Sequence, residues 1–90
     1  MKVTQMTNDN GRAIPNQLII FDSEYTAFQS YDSIIVKTVF EHGKRQVILD
    51  ETYWDYSKTT GKYRNQFLGE DKKTTERKIK SGEYRLEDLN

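Results

Sequence analysis

Residues 53–69 read YWDYSKTTGKYRNQFLG, and in this segment a strand-like sequence pattern gives way to a helical one. Ser57 is placed as the N-cap, because its hydroxyl can accept a hydrogen bond from a backbone N–H group of the first turn. Asp55, two residues earlier, is an alternative cap. Gly69 is placed just after the helix, since glycine enters the left-handed region without a Cβ penalty. These signals predict a helix between Ser57 and Gly69.

The apolar residues of this segment recur with a helical period. Spacings of four, three and four separate Tyr56, Thr60, Tyr63 and Phe67, which is the stripe of an amphipathic helix. At about 100° per residue, these four side chains fall within a sector of roughly 60°. We therefore expect the stripe to pack on a sheet, with Trp54 largely buried at the same junction.

The clearest strand pattern runs from residue 33 to residue 50. A two-residue turn at His42-Gly43 pairs Val36 with Leu49 and Glu41 with Lys44. This register places five apolar side chains on one face, as a half-buried sheet requires: Ile34, Val36, Phe40, Val47 and Leu49. The opposite face, which we expect a second layer or a partner to cover in part, carries polar residues and also Ile35, Val39 and Ile48.

Shorter segments complete the secondary-structure prediction. Residues 2–7 and 17–21 are predicted strands, and residues 25–31 form either another strand or an irregular segment over the sheet. A second helix is predicted from Asp71 to Ser81, with Gly82 after it. A last strand or a tail follows.

The predicted fold class is α+β, with a small antiparallel sheet of three to five strands and two C-terminal helices, the first packed on the sheet. Ninety residues are predicted to form a single domain, with a β-rich part (1–52), two helices (55–82) and a C-terminal strand or tail (83–90). There is no Cys, no apolar run near the roughly 20 residues that span a bilayer, and no signal-peptide pattern at the start. We expect a cytoplasmic protein with no membrane contact.

Signatures of catalysis and of metal or cofactor binding are missing. His42, the single histidine, falls at a hairpin tip, where few neighbours could orient it as a base or a ligand. Asp50, Glu51 and Asp55 follow no cation-loop pattern, and strand-end or capping roles explain them better. Residues 57–62, SKTTGK, lack the first glycine and the hydroxyl residue of a phosphate-binding loop. We expect no enzyme activity, no metal and no cofactor.

The net charge of zero conceals an uneven distribution. Residues 1–57 carry five basic and eight acidic side chains, a balance of −3, whereas residues 58–80 carry eight basic and three acidic ones, a balance of +5. A positive block in a neutral protein indicates an anionic partner, although a helix with few apolar residues is also commonly charged because it is solvated. The helix N-terminus with Ser57, Lys58 and Thr59 could hold an anion, or the same residues could serve only as a cap.

Most of the chain resembles an uncharacterised family of small proteins found in bacteriophages, prophages and plasmids. The resemblance is carried by GRAI (11–14), FQSYDS (28–33), WDYSKTTGKYRNQFLG (54–69) and KKTTERKIKSGEY (72–84), whereas residues 37–46 depart from the family pattern. It implies a mobile-element origin and a domain of unknown function. It supplies no catalytic residue.

Two functions are consistent with these features. The first is a non-catalytic protein that binds a host protein and blocks it, for example as an anti-CRISPR-like or other inhibitor of a host defence system. The second is a nucleic-acid-binding module that uses the basic segment 58–80, with Tyr56 or Tyr63 as stacking rings. The predicted partner surface combines the outer faces of both helices with two exposed aromatic anchors: Lys58, Lys62, Asn65, Lys72, Lys73, Arg77, Lys80, Tyr84 and Tyr25. The sequence indicates no oligomeric state.

Overall fold

Six strands form one sheet, and two helices pack on one of its faces. The computed structural model describes residues 1–90. The elements in chain order are β1 (Lys2–Thr7), β2 (Ala13–Phe21), β3 (Tyr25–Ser30), β4 (Ser33–Glu41), β5 (Lys44–Asp50), α1 (Lys58–Leu68), α2 (Lys72–Ser81) and β6 (Tyr84–Glu87). The strands lie side by side in chain order. Pairing is antiparallel from β1 to β5 and parallel between β5 and β6.

The prediction of three to five antiparallel strands is wrong, although the class is α+β. The sheet is mixed because α1 and α2 form a crossover, which is the kind of connection that parallel neighbours need. This crossover returns the chain to the outer edge of β5, where β6 pairs in the same direction. Residues 25–31, for which a strand and an irregular segment were both considered, contain β3.

The β4–β5 hairpin has the predicted register. Val36 pairs with Leu49, and Glu41 pairs with Lys44. The two turn residues between the strands have φ values of +55° and +78°. Positive φ at both positions is favoured in two-residue hairpin turns, because the resulting twist matches that of the strands.

The predicted face assignment is wrong at both ends of β4. The pairing of β3 with β4 shifts between Phe28 and Gln29, so that Ile35 is the extra residue of a bulge. Ile35 rather than Ile34 is therefore the fully buried residue. Phe40 lies at the other end of β4, beside the hairpin tip, and is 78% exposed. The helices leave it uncovered because they pack against β3 and β6 instead.

The hydrophobic core lies between the sheet and the helices. Phe67 of α1 stacks on Phe28 of β3, with ring centroids 5.9 Å apart. Thr60 and Ser30 share a buried hydrogen bond of 2.9 Å between the same two elements. Eight buried apolar side chains form the centre of the core: Met6, Ile14, Phe28, Ile35, Val36, Val47, Leu49 and Tyr84. Trp54 packs against this cluster but is only half-buried, less than predicted.

Long polar side chains flank the apolar residues on the other face of the sheet. Ile48 is buried, and Lys37 and Arg85 lie directly opposite it on the two neighbouring strands. Lys37 Nζ lies 4.7 Å from the centre of the Tyr25 ring. Arg85 forms an ion pair with Glu41 at 3.4 Å. No helix lies on this face, and side chains of the strands themselves cover its apolar residues in part; coverage by a partner, the other alternative, stays a prediction.

Asp50 joins the end of β5 to the residues that follow β6. Its buried carboxylate accepts four hydrogen bonds of 2.8–3.0 Å, from the backbone N–H groups of Thr52, Tyr53 and Leu89 and from the side-chain amide of Asn90. Burial alone would raise the pKa of Asp50, but the hydrogen bonds outweigh burial and lower this pKa. Asn90 also bonds the backbone N–H and C=O of Ile34. These bonds fix Leu89 and Asn90 against β4 and β5.

Candidate partner-binding groove

A groove of about 730 Å³ runs along the flank of α1. We call this feature the basic groove. Its lining is almost entirely polar and comes from three consecutive pieces of the chain, namely the loop before α1, α1 itself and the start of α2: Asp55, Tyr56, Ser57, Lys58, Gly61, Lys62, Arg64, Asn65 and Lys72.

The local sequence explains how α1 presents this flank. The Thr60 N–H donates to Ser57 Oγ at 3.1 Å, and Gly69 is left-handed at φ +71°, so both predicted ends of the helix are confirmed. Four groove residues, Lys58, Gly61, Lys62 and Asn65, follow the i, i+3, i+4, i+7 spacing that places side chains on one face of a helix. Gly61 is buried, and a Cβ at this position would lie 3.6 Å from Arg64 Nη2, so the guanidinium packs directly against the glycine.

Arg64 holds the inner wall of the groove in place. Its side chain is only 1% exposed. Nη1 donates to the Trp54 carbonyl at 2.7 Å and to Asp55 Oδ1 at 3.2 Å, and Nη2 donates to Asn65 Oδ1 at 3.0 Å. The guanidinium also lies 5.2 Å from the Trp54 ring, a distance at which cation–π attraction is effective. The loop before α1 is thereby tied to the helix.

Asp55 links this wall to α2. Its other carboxylate oxygen is 2.8 Å from Lys72 Nζ. Burial would raise the pKa of Asp55, but the hydrogen bonds from Lys72 and Arg64 outweigh burial and lower it. The bond to Asp55 in turn raises the pKa of Lys72. All these groups are charged at neutral pH.

The groove is electropositive. Its lining holds four cationic side chains (Lys58, Lys62, Arg64 and Lys72) and one carboxylate (Asp55), a balance of +3. Asp55 is already shared by two of the cations, whereas Lys58 and Lys62 are exposed and take part in no ion pair. Neither ammonium group has a carboxylate partner within the chain, although Lys62 Nζ lies 5.4 Å from the centre of the Tyr63 ring.

The structure gathers only some of the predicted site residues. Lys58, Lys62, Asn65 and Lys72 all line the groove, whereas Lys73, Arg77 and Lys80 are exposed on α2 outside it. The ring of Tyr25 is half-buried on the opposite face of the sheet, beneath Lys37.

The prediction that Tyr84 is an exposed anchor is wrong. Tyr84 is 6% exposed, because its ring joins the core and its hydroxyl donates to Glu70 at 2.8 Å. Glu70 also accepts from Thr75 Oγ1 at 2.6 Å and from Lys78 Nζ at 2.9 Å. We call these four residues the Glu70 clamp. The clamp lies outside the basic groove, and its bonds dock α2 onto β6.

The sequence pattern does not predict that two exposed aromatic residues beside the groove contact each other. The rings of Tyr53 and Tyr56 contact each other edge to face, with centroids 5.5 Å apart, and Tyr56 is 47% exposed. The helical spacing predicts Tyr56 on the inner stripe of α1, but Tyr56 precedes the N-cap Ser57 and is therefore not part of the helix. The capping signal in the sequence could have shown this.

No group of three or more His, Cys, Asp or Glu side chains in the chain is arranged to hold a metal ion. Neither helix, at eleven and ten residues, is long enough to cross a bilayer.

Residues 1–83 match the model of a family of unknown function, DUF8033. The chain belongs to this family. The matched residues include both helices and every residue of the basic groove, so the groove lies in the part of the chain that DUF8033 covers. No curated protein and no solved structure matches the chain.

Proposed function

We propose that this DUF8033 protein is a non-catalytic binding protein whose basic groove receives an acidic surface of a partner protein. The observation that carries the proposal is the pair of exposed lysines without an ion-pair partner, Lys58 and Lys62, on a helix that Arg64 and Asp55 tie to the preceding loop. The ordered backbone lowers the entropic cost of binding, and the main remaining cost is the rotamer freedom of the two lysines. The charges would steer an acidic partner to the groove and set its orientation.

Tyr53 and Tyr56 supply the anchoring surface in this proposal. Exposed tyrosines are enriched among the residues that contribute most to protein–protein affinity, and these two rings already support each other. A carboxylate of the partner would lie between Lys58 and Lys62, while an apolar side chain of the partner would pack on the tyrosines.

The proposed partner is a host protein, and the proposed effect is inhibition by occlusion of its acidic surface. The resemblance to small bacteriophage, prophage and plasmid proteins supports a mobile-element origin, and a host defence component is the kind of target such an element would need to block. The acidic surface of such a component would be one that normally binds nucleic acid or another basic ligand.

The test compares two double charge reversals that change the net charge equally. Lys58→Glu with Lys62→Glu alters the groove, and Lys73→Glu with Arg77→Glu alters the exposed face of α2. Each variant and the parent are immobilised and used to capture proteins from a nuclease-treated host lysate, and the association rate of each captured protein is then measured. We expect a protein that parent and control capture alike, with the groove variant associating about tenfold more slowly at low salt.

Equal capture by all three proteins would contradict the groove as the binding surface. Melting temperatures of the variants serve as the folding control, since all four substituted side chains are exposed.

Nucleic acid is the second candidate partner, and the position of Tyr56 favours it. An exposed ring beside Lys58 and Lys62 resembles the combination of stacking platform and cationic groove that binds single strands. The check is fluorescence anisotropy with single- and double-stranded oligonucleotides. If three lysines contact phosphates, log affinity falls with log salt at a slope of about −2 to −3. Absence of binding to either probe at low salt rejects this candidate.

A further inference from the structure

The two edges of the sheet differ in how they are protected. At one edge, β6 has only four residues and is surrounded by charges, with Glu83, Arg85, Glu87 and Asp88 in or beside it. Short length and charged side chains are the usual devices that prevent an edge strand from pairing with another chain. The β6 edge is therefore guarded.

The other edge, β1, carries one charge, Lys2, and one irregularity after Gln5, so the segment from Val3 to Gln5 between them has no such device. Its six residues read KVTQMT, and after Lys2 the strand contains no charge and no proline. All of its side chains except Met6 are exposed, including Val3 at 52%. An edge strand presents a row of N–H and C=O groups that no neighbouring strand pairs with, so β1 offers groups with which another extended strand can pair in place of water.

We propose that β1 pairs antiparallel with β1 of a second copy, giving a two-fold dimer with one continuous twelve-stranded sheet. Self-pairing is compatible with the charges, because the segment from Val3 to Thr7 carries none. The same pairing between two β6 edges would bring segments of the same net charge together, since residues 83–88 hold three acidic groups and one basic group.

The register of this pairing follows from the end of β1. The pairing of β1 with β2 is irregular after Gln5, and the Thr7 carbonyl already accepts a hydrogen bond from Gln66 Nε2 at 3.1 Å. Pairing is thus confined to residues 2–6, which centre on Thr4. Thr4 then lies opposite Thr4 of the second copy, a favourable cross-strand pair, and Val3 lies opposite Gln5 of the second copy.

The register can be tested by two variants that place charges at the same two positions. Val3→Glu with Gln5→Glu puts like charges opposite each other twice, whereas Val3→Lys with Gln5→Glu puts opposite charges there. Sedimentation equilibrium over about a hundredfold range of protein concentration measures the dimer dissociation constant. We expect a dimer for the parent, dimerisation about tenfold weaker for the first variant, and parent-like or tighter dimerisation for the second.

Amide hydrogen exchange provides a second measurement on the unsubstituted protein. Amides of residues 2–6 that point away from β2 should gain protection as concentration rises, whereas those of β6 should not. A parent that stays monomeric overturns the proposal. A dimer whose dissociation constant is the same for both variants also overturns it, because the interface would then lie elsewhere. Circular dichroism melts confirm that each variant folds.

Discussion

At the scale of single residues, the basic groove depends on the buried guanidinium of Arg64 and on the glycine that lies against it, Gly61. Arg64 brings the Trp54 carbonyl, Asp55 and Asn65 together through a planar group with fixed donor directions, and the point charge of a lysine could not reproduce this geometry. Gly61 lies beside that guanidinium. A glycine inside a helix lowers stability by roughly 1 kcal/mol relative to alanine, so its presence calls for a reason other than folding.

Gly61→Ala should raise the free energy of unfolding by up to about 1 kcal/mol. The added Cβ would lie 3.6 Å from Arg64 Nη2, an ordinary van der Waals contact, and Gly61 does not have a positive φ. Gly69→Ala is the matched comparison, and it should lower stability because Gly69 has φ +71°. Urea titrations measure both effects.

Because Gly61 is buried and the added methyl group would face the Arg64 guanidinium, Gly61→Ala should leave partner binding unchanged while it stabilises the fold. A variant that is less stable than the parent would instead show that the methyl group displaces Arg64.

At the scale of elements, α2 is held by the Glu70 clamp more than by apolar burial. Its only buried residue is Thr75, and Ile79 is half-buried. Glu70 receives hydrogen bonds from Thr75, Lys78 and Tyr84, which outweigh the effect of burial and lower the pKa of Glu70. A short helix with so little apolar contact needs such tertiary bonds to be stable.

Tyr84→Phe should lower the free energy of unfolding by about 1–2 kcal/mol, because Glu70 loses a charge-assisted hydrogen bond while the ring stays in the core. Tyr25→Phe is the control, since the Tyr25 hydroxyl makes no hydrogen bond within the chain and its removal should change stability by less than about 0.5 kcal/mol. Urea titration compares the two, and amide exchange in α2 should accelerate only for Tyr84→Phe. Equal effects of the two substitutions would show that the clamp contributes nothing specific.

The sequence predicts those elements whose signals are local. The caps of α1 and the turn of the β4–β5 hairpin lie within a few residues of the structure that they determine. By contrast, the strand character of β6 depends on pairing with β5 far earlier in the chain, and the bulge at Ile35 depends on β3. The basic groove is likewise predictable only where its residues are close together in the sequence. Its lysines on α1 are visible as a helical face, but the wall formed by Asp55 and Lys72 exists only after α2 has docked.

At the scale of the whole molecule, the free energy of unfolding should be constant over a middle range of pH and should decrease at both acid and alkaline pH. The pKa is lowered for Asp50, Asp55, Glu70 and Asp71. A lowered folded-state pKa adds stability above the unfolded values, about 3.9 for Asp and 4.3 for Glu, and this stability is lost as pH falls through the folded values. The pKa is raised for Lys72, Lys78 and Tyr84, so their contributions are complete below about pH 10 and are lost as pH rises further.

Melting temperature measured against pH should therefore be flat from about pH 5 to about pH 9 and fall below about pH 4. Asp50→Asn should lower the plateau and make the acid loss shallower, because one of the shifted carboxylates is gone. Glu51→Gln, at the exposed neighbouring position, is the matched control for loss of one carboxylate. An acid limb with the same steepness in the Asp50 variant as in the parent would rule out Asp50 as a main source of the pH dependence.

The parallel position of β6 also affects how the chain behaves before folding is complete. The end of β5, Val47–Asp50, is buried in the folded protein, yet its outer edge has no partner until β6 has paired with it. Short connections join β1 to β5, whereas Tyr84 lies 34 residues after Asp50, so five strands can pair before the longer crossover brings β6 back. In that intermediate the outer edge of β5 is open to pairing with other unfolded chains. Inclusion-body formation should therefore increase for variants in which α1 and α2 dock slowly.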